Sequence, residues 1–130
     1  MRNFLSHINK GLFKGRVNRK QFFFGLFFLP LVGVILRLIH QLIHPPGGFL
    51  LTDIFFGIIG FLIFVLYASL IVRRIQDIGK PVLNYIIMLM IPIFGFFVLA
   101  YLFLKRGSKE SNKYGPPNTE TNFFKMLLNI

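Results

Sequence analysis

Three long stretches of this sequence, at about 22–43, 50–75 and 82–104, carry almost no charged residues. At ~1.5 Å per residue, the first stretch is about 33 Å long as a helix, enough to cross the roughly 30 Å hydrocarbon core of a membrane. Charged residues make up only 15% of the chain and lie mainly between and beyond these stretches. We therefore expect an all-α, multi-pass transmembrane protein with about three membrane helices, in one membrane domain over residues 1–130.

The two ends of the chain differ from the apolar stretches. Residues 1–20 are rich in Lys and Arg, and their apolar residues recur at helical spacing. This pattern predicts a basic amphipathic helix in the headgroup plane, with an unstructured basic segment as the alternative. Residues 105–130 form a polar basic tail. Its last apolar residues pair at i and i+4 and predict a second short interfacial helix over Phe123, Phe124, Leu127 and Leu128.

Local signals mark the ends of the predicted helices. Asn18 and Gln21 fit a capping box at the start of the first helix. The sequence HPPGG at 44–48 stops that helix and permits a tight reversal of the chain. Gly79 and Pro81 fit the end of the second helix and the start of the third.

The third apolar stretch allows two topologies. With three full spans and a cytoplasmic N-terminus, the basic tail lies outside, against the tendency of Lys and Arg to remain in the cytoplasm. If the stretch bends at Pro92–Gly95, each arm is about 15 Å long, and a re-entrant hairpin returns the tail to the cytoplasmic side. Because backbone at such a bend is hard to satisfy in lipid, three full spans are the main expectation.

Composition excludes several kinds of chemistry. The chain has no Cys, so disulfides and thiol-based sites are impossible. The net charge of +11 adjoins apolar stretches, so we expect anionic lipid headgroups rather than nucleic acid as its partner. His40 and His44 have metal-ligand spacing without an evident third ligand, so we expect no metal. Nucleotide, phosphate-loop and nucleophile motifs are missing from the sequence, so we expect no cofactor and no enzymatic activity.

The most distinctive polar residues are Arg73, Arg74 and Asp77, which one helical turn brings together. Arg16 and Arg19 should lie on the same side of the membrane, so these five residues form a candidate cluster. One interpretation is a site for an anionic headgroup or phosphate, in which Asp77 orients the arginines. The other is an ion pair at the membrane edge that fixes the loop and sets the topology, the commoner role of interfacial arginines.

A second polar pair lies near the turn between the first two helices. Arg37 is inside the first apolar stretch, and Asp53 begins the second. Counted from the turn, their depths are about 12 Å and 8 Å. Because an ionised arginine in hydrocarbon is costly, we hypothesise an Arg37–Asp53 ion pair across this helical hairpin.

Three motifs give the chain a resemblance to a known family. They are FKGRVNRKQF at 13–22, VRRIQDIGK at 72–80 and NKYGPP at 112–117. Their order and the apolar stretches between them resemble the small bacterial inner-membrane proteins grouped as domain of unknown function 805. The family pattern matches at Phe13, Gly15, Arg16, Arg19, Arg73, Arg74, Asp77, Gly79, Asn112, Tyr114, Gly115 and Pro116.

The middle motif departs from that pattern in two places. Gln76 stands where the family usually has His, so a titrating role of that His would be missing here. Pro81-Val82-Leu83 stands where a Gly followed by aromatic residues is usual. The resemblance implies a multi-pass protein of the bacterial inner membrane and brings no established activity.

The sequence is compatible with three hypotheses about function. The main one is a non-enzymatic scaffold or small partner subunit, associated with another protein or with a second copy of itself. The alternative is a binder or transporter of an anionic lipid or small solute through the basic cytoplasmic face. A membrane-embedded enzyme that modifies lipids is the third.

Overall fold

The computed structural model describes residues 12–43, 50–117, 119 and 123–128. Within these residues all regular secondary structure is helical, which confirms the predicted all-α class. We number the helices in chain order. They are α1 (Arg19–Ile43), α2 (Leu50–Ile78), α3 (Val82–Met90), α4 (Pro92–Leu104) and α5 (Phe123–Leu128).

The predicted capping box begins α1. The backbone N–H of Gln21 donates to Asn18 Oδ1 at 2.9 Å, and the backbone N–H of Asn18 donates to Gln21 Oε1 at 3.3 Å. These two bonds satisfy backbone donors that a helix start leaves without intrahelical partners. The helix therefore starts at Arg19, three residues before the predicted boundary.

Helices α1 and α2 form an antiparallel pair. Gly25 contacts Leu70 near one end, and His40 contacts Asp53 near the other. A Cβ added at Gly25 would lie 2.6 Å from Leu70 Cδ2, so the glycine permits the close approach of the two helices.

Both helices are long and apolar enough to cross a membrane. Only 17% of the apolar window in α1 and 11% of that in α2 is buried within the protein. A core helix of a soluble protein would be mostly buried, whereas these helices expose rows of Phe, Leu and Ile side chains. Their surfaces suit a lipid environment.

The third apolar stretch is not one helix. It is divided at Ile91 into α3 and α4, so the expectation of a single membrane helix over 82–104 is wrong. Pro92 is the first residue of α4, and the residue before a proline is disfavoured in helical conformation. Ile91 accordingly has extended backbone angles (φ −96°, ψ 115°).

Helices α3 and α4 fold back on each other as a hairpin. The rings of Tyr85 and Tyr101 stack with centroids 6.1 Å apart, so the start of α3 lies beside the end of α4. A Cβ on Gly95 would lie 2.9 Å from the carbonyl oxygen of Leu89, and glycine is therefore needed for the tight return. At ~1.5 Å per residue, the arms are about 14 Å and 20 Å long, too short to cross a membrane separately.

The last helix, α5, confirms the short helix predicted near the C-terminus. Phe123 packs edge-on against Phe24 and Phe28 of α1, with centroid distances of 4.7 Å and 6.0 Å. Leu127 is buried in the apolar core, so α5 rests on the protein. The predicted N-terminal helix falls mainly on residues 1–11, which lie outside the described residues, and residues 12–18 are not helical.

Candidate functional site

The candidate site begins in the last turns of α2. This helix runs three residues beyond its predicted end, so Arg73, Arg74 and Asp77 are all helical. Gly79 ends it with a φ of +78°. The N–H groups of Gly79 and Lys80 donate to the carbonyls of Gln76 and Ile75 at 3.0 Å and 3.3 Å, the paired bonds of a Schellman motif.

Asp77 lies between two arginines from distant parts of the sequence. Its Oδ1 accepts a hydrogen bond from Arg16 Nε at 2.9 Å, and its Oδ2 accepts one from Arg74 Nη1. The side chains of both arginines are fully shielded from solvent, and that of Asp77 is 6% exposed. The carboxylate therefore balances charge where water is excluded, and such bonds are stronger than neutral ones. We call Arg16, Arg73, Arg74 and Asp77 the arginine–aspartate cluster.

Arg16 joins the N-terminal segment to the tail. Its Nη1 donates to the carbonyls of Glu110 and Gly115 at 2.8 Å and 3.2 Å. Its Nη2 donates to the carbonyl of Ser108, to Ser108 Oγ at 3.0 Å and to the carbonyl of Asp77 at 3.4 Å. The guanidinium thus uses its donors on backbone and side chain within the protein.

Arg74 joins α2 to the end of the α3–α4 hairpin. Its Nε donates to the carbonyl of Leu102 at 2.9 Å, and its Nη2 donates to that of Lys105. Its Nη1 also donates to the carbonyl of Val17 at 3.2 Å. The guanidinium lies 6.0 Å from the centre of the Phe22 ring, within the range of a cation–π contact. Because Arg74 binds carbonyls at the end of α4, that end lies at the same level as the end of α2.

Arg73 faces the C-terminal helix. Its Nη1 donates to the carbonyl of Leu127 in α5 at 3.4 Å, and its side chain is buried. Its backbone carbonyl accepts a hydrogen bond from the N–H of Val17 at 3.3 Å. The last turns of α2 therefore make contacts on two sides. Arg74 and Arg16 both bind Asp77, whereas Arg73 binds α5.

The tail motif closes the cluster from outside. Asn112 Nδ2 donates to the carbonyl of Gln76 and to Ser108 Oγ, at 2.9 Å and 3.0 Å. Asn112 and Gly115 exchange backbone hydrogen bonds of 3.1 Å and 2.9 Å, and Gly115 has a φ of +115°. A side chain at Gly115 would strain this turn. The turn directs the Gly115 carbonyl at Arg16.

Gly107 fits directly against the carboxylate. A Cβ at this position would lie 1.8 Å from Asp77 Oδ2, so no other residue fits without displacing Asp77. Sequence reasoning did not single out Gly107 or Ser108. The signal available in the sequence was a Gly–Ser pair directly after the two basic residues that follow α4, Lys105 and Arg106.

Gln76 of the second motif also has a place in this network. Its Nε2 donates to the carbonyl of Phe13 at 3.0 Å, which ties the N-terminal segment to α2. Tyr114 of the tail motif donates its hydroxyl to the carbonyl of Lys80 at 3.0 Å. All three motifs singled out in the sequence therefore meet at one end of the molecule.

Arg19 does not join the arginine–aspartate cluster. It is exposed, and its Nη1 donates to the carbonyl of Leu104 at 3.3 Å.

The hypothesised Arg37–Asp53 ion pair is not found among the described residues. Asp53 contacts His40 instead, with 3.0 Å between Asp53 Oδ1 and His40 Nε2. His40 is closer to the turn by about one helical turn and needs less reach than Arg37. Arg37 lines the same cleft as Asp53.

Two helices long and apolar enough to cross a membrane, a short apolar hairpin and a buried polar cluster at their shared end indicate a helical membrane protein. The chain belongs to the protein family of unknown function DUF805, whose pattern matches residues 12–116. No curated protein and no solved structure matches the chain. The matched range includes every residue of the arginine–aspartate cluster and the tail turn that covers it.

Proposed function

We propose that this chain is a non-enzymatic partner subunit in the bacterial cytoplasmic membrane. In this proposal α1 and α2 span the membrane and the α3–α4 hairpin enters it from the cytoplasmic side. The arginine–aspartate cluster holds the cytoplasmic end together. A cleft between α1 and α2, nearer the other side, receives a transmembrane helix of another protein.

The proposed topology is supported by the contacts of the N-terminal segment from Leu12 and of the tail. Arg74 binds carbonyls at the end of α4, and Arg16 binds carbonyls of the tail. The N-terminal segment, the end of α2 and the tail thus share one end of the molecule. Among the described residues, every Lys and Arg except Arg37 is at this end or in a segment attached to it, which supports a cytoplasmic location.

The arginine–aspartate cluster serves as an internal cross-link in this proposal. A phosphate group would need access to the guanidinium N–H groups, but those of Arg16 and Arg74 donate to carbonyls and to Asp77 inside the protein. Their side chains are also closed to solvent. A headgroup site here would require four chain segments to separate first, so the cluster supports the anchoring interpretation.

The observation that carries the partner-subunit proposal is the cleft between α1 and α2. Gly33, Gly57 and Gly60 line it, and a Cβ added at any of them would meet nothing within 4 Å. Glycines on membrane helices permit close approach of another helix backbone, yet here the space is open and about 280 Å³ in volume. The cleft has room for contacts that this chain does not itself make.

The positive charge of Arg37 in the α1–α2 cleft favours a partner with an acidic or polar group. Its side chain is exposed and, within the described residues, makes no hydrogen bond or ion pair. Along α1 it lies about 27 Å from Arg19, close to the far edge of the hydrocarbon core. A charge in this position favours a partner helix that offers an acidic or polar group.

The acidic residues support a non-enzymatic role. Asp77 is buried between two arginines, and Asp53 lies beside His40. A hydrolytic enzyme would need a carboxylate, or a pair of carboxylates, free to accept and donate protons at an open site. Asp77 is held in ion pairs and Asp53 lies against a histidine ring, so neither is such a carboxylate.

Photo-crosslinking in native membranes tests the proposal. A photoreactive amino acid at Gly60 lines the cleft, whereas the same residue at Leu62 lies on the exposed surface away from it. We expect Gly60 to yield an adduct with one other membrane protein, Leu62 to yield none, and Gly57→Leu to abolish the adduct by filling the cleft. Adducts that contain only this chain, or equal adducts from both positions, would contradict the proposal.

A further inference from the structure

Beside the arginine–aspartate cluster lies a second basic surface with a different character. Arg19, Lys20 and Arg106 are exposed and line one cleft, together with Asn18 and Gly107. This cleft has a volume of about 360 Å³. We call it the basic cleft.

The basic cleft continues into an apolar one. Arg19 and Lys20 also line a neighbouring cleft of about 280 Å³, whose other residues are Phe23, Phe103 and Leu104. The rings of Phe23 and Phe103 lie 4.8 Å apart across the seam between α1 and α4. Cations at the rim and apolar side chains below them match the two chemical parts of a phospholipid.

The cations of the basic cleft have charge available for a ligand. Arg19 donates to the neutral carbonyl of Leu104, which leaves its charge uncompensated. Lys20 and Arg106 make no hydrogen bond or ion pair within the described part of the chain. No acidic side chain lines either cleft in that part, and Asp77, adjacent to Gly107, is already held by two arginines.

The position of the cleft identifies the source of the anion. Arg19 is the first residue of α1 and Leu104 is the last of α4. The cations therefore lie at the boundary between the apolar helices and the polar segments that adjoin them. In the topology proposed above, this level is the cytoplasmic headgroup layer, in which anionic lipids attract Lys and Arg. We infer that the basic cleft binds the phosphate headgroup of an anionic phospholipid, with an acyl chain along Phe23 and Phe103.

The inference separates two groups of arginines that the sequence placed together. Arg16, Arg73 and Arg74 are buried and hold the protein together, whereas Arg19 lies outside with Lys20 and Arg106. Binding here does not depend on the α1–α2 cleft or on its partner. The inference shares only the topology with the proposed function, so failure to find a partner at the α1–α2 cleft would leave it standing, and the reverse also holds.

The test uses the full chain in mixed detergent micelles containing either phosphatidylcholine or phosphatidylglycerol, with retained lipid measured by native mass spectrometry. The site variant is Lys20→Gln with Arg106→Gln, in which Arg19 keeps its bond to α4. The control variant is Lys109→Gln with Lys113→Gln, which removes the same charge from exposed tail positions outside both clefts.

We expect wild type and control to retain phosphatidylglycerol in preference to phosphatidylcholine. The site variant should bind it more weakly by about fivefold for each cation removed, or roughly 25-fold in all. Equal losses in the two variants would show diffuse surface attraction and overturn the inference.

A competition arm distinguishes a lipid from a free anion. Inorganic phosphate should not displace phosphatidylglycerol from the wild type, because it lacks the acyl chain. The variant Phe103→Ser should weaken lipid retention while leaving the helical circular dichroism signal unchanged. Displacement by inorganic phosphate at millimolar concentration, or unchanged lipid retention in Phe103→Ser, would refute a lipid site.

Discussion

Replacement of Asp77 with asparagine removes the carboxylate that lies between Arg16 and Arg74. The change keeps the size of the side chain and removes its charge. In the wild type the carboxylate accepts one hydrogen bond from each guanidinium, in surroundings closed to solvent. Asparagine can keep one of these bonds through its amide oxygen, while its amide NH2 faces the other guanidinium as a second donor.

The expected cost of this change follows from the contacts. Two hydrogen bonds to charged groups, worth about 1.5–3 kcal/mol each, are replaced by one weaker bond. Removal of one partner of a buried ion pair generally costs about 3–5 kcal/mol, since the remaining charge stays buried. Both arginines keep their bonds to carbonyls, so we expect the lower end, about 3 kcal/mol, for Asp77→Asn.

The assay is unfolding of the purified chain in mixed micelles by titration with sodium dodecyl sulfate, followed by circular dichroism of the helices. Glu110→Gln is the matched control, because it also removes one acid but Glu110 is exposed and only its backbone carbonyl binds Arg16. The control should unfold like the wild type. An Asp77→Asn variant as stable as the control would refute the cross-link, and such a variant with lost lipid binding would point to a ligand site instead.

Three glycine substitutions test the packing in the same assay. Gly107→Ala should destabilise the protein about as much as Asp77→Asn, because the new Cβ would occupy the place of the carboxylate; unchanged stability would contradict this contact. Gly95→Ala should cost about 1–3 kcal/mol, since its Cβ would press against the carbonyl of Leu89 at the hairpin bend. Gly60→Ala has open space and should leave stability unchanged or slightly raised, so a clear loss there would show that the cleft is filled within this chain.

Much of the architecture could be predicted from local signals. The capping box at Asn18 and Gln21, the end of α2 at Gly79 and the short C-terminal helix each depend on a few neighbouring residues. For the third apolar stretch, the sequence left two topologies open. A full span places the basic tail outside, and a bend leaves backbone groups to be satisfied in lipid. Pro92 and Gly95 marked the possible bend, but its backbone is satisfied by bonds that exist only once the bend has formed, from the N–H of Ile91 to the carbonyl of Met88 and from the N–H of Gly95 to the carbonyl of Ile91.

The sequence predicted which residues belong to the candidate site better than it predicted the contacts between them. Spacing correctly joined Arg74 to Asp77 one turn apart, but Arg73, which it placed with them, donates to a carbonyl of α5 instead. It could not show that Arg16, 61 positions away, would take the other carboxylate oxygen, or that Arg19 would stay outside. It also assigned no role to the tail, whose contribution is largely backbone carbonyls, and every residue has a carbonyl.

The central claim is that the tail lies on the cytoplasmic side together with the segment before α1, and cysteine labelling tests it most directly. The chain has no Cys, so single substitutions carry no background. Ser111→Cys reports on the tail, and Gly48→Cys reports on the connection between α1 and α2. A membrane-impermeant thiol reagent applied to intact cells should label Gly48→Cys and should reach Ser111→Cys only after the membrane is opened. Labelling of Ser111→Cys from outside in intact cells would contradict the cytoplasmic location of the tail, and labelling of both positions from outside would also contradict the hairpin topology.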